Sequence, residues 1–345
     1  MPIKDDLRLL QSLPLEIKIA KTKQRIREWV THFGKDGVYV SFSGGKDSTV
    51  LLHLVRELYP DIEAVFVNTG LEYPEIQKFV KTFDNVTILR PKMRFDDVIR
   101  KYGYPIISKR ISDVLHGASL GQKSRLNLLN GLNYDGTSTK TKFSCEKYKP
   151  LLDVDFRISN YCCDIMKKKP MKKYQKETRK YPIIATMAVE SMNRETVWMS
   201  EGCNAYETKN PNSKPMSFWT EQDVLQYIKE NNIPIASVYG DIVYKEDSDQ
   251  MRIEDFGISG CGADKLCTTG CSRTGCIFCA FGAHLEKAGE GRFERLKETH
   301  PRQYEYCIGG GEYVDGVWKP NKDGLGMGHV FDELNRIYGD GFIRY

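Results

Sequence analysis

The sequence predicts an α/β fold: a doubly wound parallel sheet followed by an irregular, cysteine-rich C-terminal region. Three observations carry this. Short β-prone runs alternate with helical patterns over residues 37–102, as right-handed strand–helix–strand crossovers do. One of the strands runs straight into a glycine turn that opens a helix, VSFSGGKDSTV at 40–50. Beyond residue 241 periodic segments thin out while glycines and cysteines crowd together.

Residues 16–33 read as an amphipathic helix with Ile26, Trp29, Val30 and Phe33 on one face and Gly34 as its stop. This helix belongs to an N-terminal segment, 1–35. A strand–helix domain is expected over 36–240, with strands at 37–42, 62–67 and 86–89. Helices fall between them, one ending near Tyr59 before Pro60, one after Pro74 and one over FDDVIRKYG. A later strand of the same sheet is expected at 182–189, PIIATMAV. SKRISDVLHGASLGQ suggests a helix and NYDGTSTKTKFS a polar loop, while GMGHVFDELNRIYG reads as a terminal helix. The cysteine-rich region with its metal site is placed at 241–345.

The chain has 345 residues, 40% hydrophobic and 28% charged, the balance of a globular protein with a substantial core. No apolar run reaches membrane-spanning length, and the N-terminus lacks a secretory pattern, so a cytoplasmic location without membrane association is expected. A net charge of +5 is modest, but residues 167–180, KKKPMKKYQKETRK, hold eight basic residues against one Glu. That run is either a solvated helix face or a patch for phosphates or nucleic acid. Ten cysteines in such a chain favour metal or redox chemistry over a disulfide framework.

Ligands of parallel sheets bind beyond the carboxyl ends of the strands, and SFSGGKDST sits there. Gly44 and Gly45 allow a tight bend with N–H groups turned to an anion, and the helix starting near Asp47 adds its positive end. Ser43, Ser48 and Thr49 offer hydroxyls and Lys46 a full charge. The pattern is neither GxxxxGK[ST] nor GxGxxG. It is a cradle for a phosphate-bearing ligand.

SGGKDS resembles the PP-loop of the ATP pyrophosphatase superfamily, which has the adenine nucleotide α-hydrolase-like fold. VFVNTGLEYPE and YPIISK resemble motifs of its phosphoadenylyl-sulfate reductase branch. ATMAVESMNRE resembles that branch's Gly-x-Arg…Glu-Ser-x-x-Arg segment, with Met187 and Val189 in place of the Gly and Arg. KPMSFWTEQDVLQYIKENNIP resembles its Trp-Thr-x-x-Asp-Val helix, and the likeness spans about residues 37–285. The resemblance implies that residues 43–49 hold phosphates and that Asn68 and Thr69 lie near the adenosine. It also implies that Ser108, Lys109 and Arg194 approach a phosphate or sulfate end, with Lys46, Asp47, Lys109 and Arg194 as the catalytic set.

Cys267-x₃-Cys271-x₄-Cys276-x₂-Cys279 could form a four-thiolate zinc site. Adjacent Cys162 and Cys163 offer another pair. A Cys-Cys pair upstream of Cys-x-x-Cys resembles the [4Fe–4S] ligands of the adenylyl-sulfate reductases, which implies a cluster on Cys162, Cys163, Cys276 and Cys279. Cys267 and Cys271 remain alternatives, and Cys145 and Cys307 read as buried and inert.

Two reactions compete. Reductases of the family attack the sulfur of adenylyl sulfate or phosphoadenylyl sulfate with a cysteine in a C-terminal Glu-Cys-Gly-Leu/Ile-His tail. This chain ends DELNRIYGDGFIRY, which weighs against a conventional reductase. PP-loop synthetases and sulfurtransferases instead bind ATP with Mg²⁺, adenylate a substrate oxygen and release pyrophosphate. The complete SGGKDS form favours this ATP-dependent adenylation and sulfur transfer. The combination also resembles DNA phosphorothioation sulfurtransferases and transfer-RNA thiolating enzymes, which implies a nucleic-acid acceptor. Partners implied by the two chemistries are a cysteine desulfurase or a thioredoxin-like reductant. A sulfate adenylyltransferase-like subunit shares the FSGGKDSTVLLHL loop but not the cysteines.

Overall fold

A computed structural model describes residues 4–138, 144–244 and 265–345, which form two compact units. The polar stretch at 133–144 therefore lies partly, and Cys261 wholly, outside the described residues. No helix among the described residues is long and apolar enough to cross a membrane.

The first unit comprises the described residues of Met1–Asn68, Glu72–Leu89 and Lys172–Thr274. The strands of its main sheet are β1 (Val38–Ser41), β2 (Ala64–Val67), β3 (Val86–Leu89), β4 (Tyr181–Ile184), β5 (Asn204–Ala205) and β6 (Asn212–Ser213), and Ile242–Tyr244 pairs apart with Leu266–Thr268. The main-sheet strands lie in the order β3-β2-β1-β4-β6-β5, parallel except for the β5–β6 pair. The reversal of strand direction of travel at β1, from which the chain steps first one way and then the other, is the doubly wound arrangement. Val38, Tyr39, Val40, Ala64 and Val65 are buried, as central parallel strands require.

Helix α1 (Leu15–Phe33), α2 (Lys46–Leu58), α3 (Pro74–Val80), α4 (Met192–Glu201) and α5 (Glu221–Glu230) pack around this sheet. Ile26 and Trp29 of α1 and Val50, Leu51, Leu54 and Val55 of α2 are fully buried, each following the helical period. Truncating Trp29 to Ala would cost about 3–5 kcal/mol, as large buried aromatics do. The Trp-Thr-x-x-Asp motif is structural. Thr220 Oγ1 caps α5 by accepting from Asp223 N, and the Thr220 N–H donates to the Asp223 carboxylate at 2.6 Å. That carboxylate also meets the buried Lys18 ammonium at 2.7 Å, tying α5 to α1. Trp219 Nε1 donates to Thr22 Oγ1 at 2.8 Å.

The strand expected at 182–189 stops at Ile184. Its neighbour β6 has only two residues, and Ala188 N instead donates to Ser217 O as the chain turns over Ala188–Glu190.

The second unit comprises Thr69–Leu71, the described residues of Arg90–Met171, and Gly275–Tyr345. Its helices include Phe95–Tyr102, Lys109–Ser119, Lys123–Leu129, Arg292–Thr299, Pro301–Ile308 and Met327–Tyr338. The last three make the C-terminal stretch more regular than its glycine content suggests. Phe293 packs on Phe331 with ring centroids 4.8 Å apart and planes tilted by 54°, and Cys307 Sγ lies 3.5 Å from Met327 Sδ. A short parallel pair, Ile106–Ile107 with Ala280–Phe281, joins two segments distant in sequence.

Candidate functional site

The glycine loop after β1 is shaped by its own backbone. Gly44 has φ +73°, and a Cβ there would fall 2.7 Å from Val80 and 2.8 Å from Ile76 of α3. Only glycine fits on both counts. Ser43 Oγ and Ser48 Oγ are 2.9 Å apart, and the Ser48 and Thr49 hydroxyls both donate to Gly45 O. The start of α2 has no side-chain cap, so the N–H groups of Asp47 and Ser48 point out of the first turn without intrahelical partners. Lys46 N donates to Tyr239 Oη at 3.1 Å, which in turn pairs with Thr274 Oγ1 at 2.6 Å. Burial pushes the Tyr239 hydroxyl up to about 12, so it stays protonated.

The charges beside the loop are mixed. The Lys46 ammonium is buried, 3.1 Å from Glu221 and 2.8 Å from Ser272 O. Asp47 Oδ1 is buried without a hydrogen bond, with Lys46 Nζ 3.7 Å away. Desolvation raises the Asp47 carboxyl, while Lys46 and Arg273 oppose the rise. An orphaned, desolvated carboxylate oxygen beside a phosphate cradle suits a hard cation such as Mg²⁺. Arg194 pairs with Glu190, which also lies 3.5 Å from Arg273. Burial lowers the Arg194 guanidinium, Arg273 lowers it further and Asp47 counters. Lys46, Asp47 and Arg194 therefore share one electrostatic neighbourhood with Arg273 and Glu221. Arg273, Thr274, Tyr239 and Glu221 were not among the residues singled out in sequence. Arg273 and Thr274 lie inside CTTGCSRTGC, where the local signal is the cysteine spacing.

Asn68, at the end of β2, donates its N–H to Leu89 O within this first unit. Thr69, Ser108 and Lys109 belong to the second. Thr69 Oγ1 accepts from Leu71 N, and Ser108 Oγ caps its helix by accepting from Ile111 N at 3.2 Å. Immediately before them in the motif, Ile107 has φ +61°, a strained conformation for a β-branched residue.

All four expected cluster cysteines lie in the second unit. Cys162 and Cys163 sit on one helical turn, their sulfurs 4.0 Å apart. Cys279 N donates to Cys276 O, closing the turn that precedes the Ala280–Phe281 strand. The Cys162 thiol donates to Cys163, which raises Cys162 and lowers Cys163 to about 6. Lys109 and Lys167 add to the lowering, whereas Cys276 and Cys279 both raise Cys162 through their charge. Burial raises Cys279, and Cys163 adds to it. The four sulfurs thus feel one another within one unit, beside two lysines that would offset anionic charge.

No three His, Cys, Asp or Glu side chains among the described residues converge tightly enough to hold one metal ion. A tetrahedral zinc needs sulfurs about 2.3 Å from one centre, whereas a cluster spreads its four thiolates over separate irons. The donor set fits a cluster in type, burial and charge. Cys267 pairs in a strand with Val243, and Cys271 donates its N–H to Val238 O, both in the first unit. Cys145 and Cys307 are fully buried, and burial raises both thiols.

A glycine loop at the carboxyl edge of a parallel sheet, opening a helix, defines a nucleotide-binding α/β protein. Residues 37–103 and 124–280 match the phosphoadenosine phosphosulfate reductase domain, and the chain belongs to that family. An uncharacterized Methanocaldococcus jannaschii protein is 30% identical over 209 residues, 59% of this chain and 34% of the relative. An adenosine 5′-phosphosulfate reductase of Staphylococcus haemolyticus is 24% identical over 71% of this chain and 89% of its own length. The solved phosphoadenylyl-sulfate reductase of Candida auris aligns over 76% of this chain and 96% of its own, at 13% identity and TM-score 0.37. A second uncharacterized protein of Methanocaldococcus jannaschii is 25% identical over 79% of this chain, and the chain spans less than half the length of these two relatives, 34% and 46%.

Proposed function

We propose that the protein binds ATP through residues 43–49 and adenylates an acceptor for sulfur transfer, releasing pyrophosphate. The single observation that carries this reading is the loop itself. Gly44, Gly45, Lys46, Asp47, Ser48 and Thr49 are all present in a preformed turn with outward N–H groups at a helix start. Such a cradle suits the β- and γ-phosphates. An acceptor oxygen attacks the α-phosphorus, the bridging P–O bond to the β-phosphate breaks, and pyrophosphate leaves with the bond's electron pair. A sulfur nucleophile then displaces AMP from the acceptor.

In this reading Lys46, Arg194 and Arg273 neutralise phosphate charge, and Tyr239 holds the first turn of α2 in place through Lys46 N. Asp47 would hold Mg²⁺, which when bound would supply charge neutralisation for the phosphates. Cys162, Cys163, Cys276 and Cys279 would hold a [4Fe–4S] cluster, with Lys109 and Lys167 offsetting its charge; bound there it supplies electron transfer and a soft site for sulfur. A cysteine desulfurase is the natural sulfur source.

Reduction of adenylyl sulfate or phosphoadenylyl sulfate is the second reading, favoured by the relation to the Staphylococcus haemolyticus reductase along most of that enzyme. It requires an accessible nucleophilic thiol. Cys307 is a poor substitute, because it is fully buried and its thiol is raised by desolvation. Anaerobic incubation with ATP, and separately with adenylyl sulfate plus a thioredoxin-like reductant, decides between the two. AMP and pyrophosphate from ATP support sulfur transfer; sulfite from the sulfated nucleotide supports reduction.

A further inference from the structure

The basic run that the loop and cysteines leave unused forms part of a cleft. Lys172, Lys176, Arg179, Lys180 and Lys209 line a cavity of about 480 Å³, together with Tyr181 and Pro182 at the start of β4. No acidic residue lines it. Lys180 is engaged by Glu63 at 2.6 Å, but Lys172, Lys176, Arg179 and Lys209 have no acidic partner among the described residues. Spacings of four and three residues put Lys172, Lys176 and Arg179 on one helical face of Lys169–Thr178 and just past its end. The negative end of that helix accounts for cations at Arg179 and Lys180 but not for Lys172, Lys176 or Lys209.

Arg179 adds an independent sign. It follows the helix with φ +57°, the left-handed position that glycine ordinarily takes at a helix end. A long cationic side chain is kept where the backbone would be less strained without one, which points to a use for the charge.

Strand register separates this cleft from the nucleotide loop. β1 and β4 are parallel, with Val38 opposite Tyr181 and Ser41 opposite Ile184. The glycine loop follows Ser41, whereas the cleft is lined by Tyr181, at the other end of the same strands. The two sites face opposite edges of the sheet, so these cations do not serve the phosphates of the nucleotide.

We propose that this cleft is a docking surface for the phosphodiester backbone of a single nucleic-acid strand, independent of which reaction the nucleotide loop supports. From Lys172 to Arg179 the helix rises about 10 Å, over which one strand presents about three phosphates. A concave cleft of this size admits one strand in preference to the convex ridges of a duplex.

The test is fluorescence anisotropy of a labelled 20-nucleotide single-stranded RNA with the full chain between 50 and 200 mM salt. Four unpaired cations predict a log–log salt slope of about −3. The combined variant Lys172→Ala, Lys176→Ala, Lys209→Ala should bring the slope to about −1 and weaken binding at least 30-fold at 50 mM salt, with ATP affinity unchanged. The corresponding Lys→Arg variant should retain the slope, and the corresponding Lys→Gln variant, which removes the same three charges but keeps most of each stem, should also fall to about −1 and carries the test if the alanine variant unfolds. Absence of RNA binding at 50 mM salt overturns the proposal, as does an alanine variant with the wild-type slope. Equal competition by tripolyphosphate at matched phosphate would make the cleft a free-anion site. Binding of phosphatidylserine vesicles or duplex RNA in preference to the single strand would contradict it equally.

Discussion

The glycine loop and the cysteine set are built in opposite ways. The loop is one contiguous run whose hydroxyls are already satisfied: Ser43 by Ser48, Ser48 and Thr49 by Gly45 O. The cysteine set gathers two pairs more than a hundred positions apart in sequence; the Cys162–Cys163 contact raises the first thiol and lowers the second, and burial raises Cys279. The local turn is set by its own backbone, while the Asp47 and Ser48 N–H groups and Asp47 Oδ1 are left open to a ligand. In the proposed reading, the thiols would be drawn together round what they bind.

The largest effect that would break this contrast belongs to Gly44. With φ +73° and Val80 2.7 Å from any Cβ, Gly44→Val should abolish ATP binding detectable by calorimetry. Gly45→Ala is the sharper companion. Its Cβ would meet Tyr239 Oη at 3.1 Å without a positive φ, so affinity should fall about tenfold, roughly one misplaced hydrogen bond. Similar losses in both variants would mean that the loop adjusts as a whole.

Next comes the cysteine set. Cys276→Ser or Cys279→Ser should remove most of the iron from anaerobically purified protein, measured by iron assay and visible absorbance, while Cys307→Ala keeps it. Full iron in both serine variants would move the site away from this pair. Lys46→Met should weaken ATP binding about 10–100-fold, the range for losing a charge-assisted contact of about 1.5–3 kcal/mol. An unchanged affinity would leave Lys46 as a purely internal partner of Glu221 and Ser272.

The smallest effect concerns pH. Desolvation raises the Asp47 carboxyl in the folded state, so the ionised form is less favourable there than in the unfolded chain. That penalty is present above the folded value and vanishes as pH falls below the unfolded one. Asp47→Asn should therefore raise the melting temperature by about 2 °C at pH 8, with the gain shrinking towards pH 4. A gain that grows on acidification would contradict the burial argument.

What was legible in sequence follows the same division. The strands at 38–41, 64–67 and 86–89 and the helices from Lys46 and Pro74 were readable because period, proline and glycine are local signals. The strand beginning at Tyr181 was readable but its end was not, since β6 is too short to pair beyond Ile183. Gly44 announced itself; Tyr239 and Glu221 did not, because their roles depend on where distant segments meet Lys46. Thr220 and Asp223 were seen as a family motif, and their physical work is to cap α5 and bury Lys18. The cysteines were visible as residues, but which of them share a unit is a tertiary fact.

The most direct test is calorimetric titration of the anaerobically purified protein with ATP and with adenylyl sulfate, each with and without Mg²⁺. ATP should bind in the micromolar range with Mg²⁺, and at least tenfold more weakly without it, with adenylyl sulfate weaker than Mg²⁺-ATP. Tighter binding of adenylyl sulfate, indifferent to Mg²⁺, would contradict a pyrophosphate-releasing enzyme and make reduction the reaction.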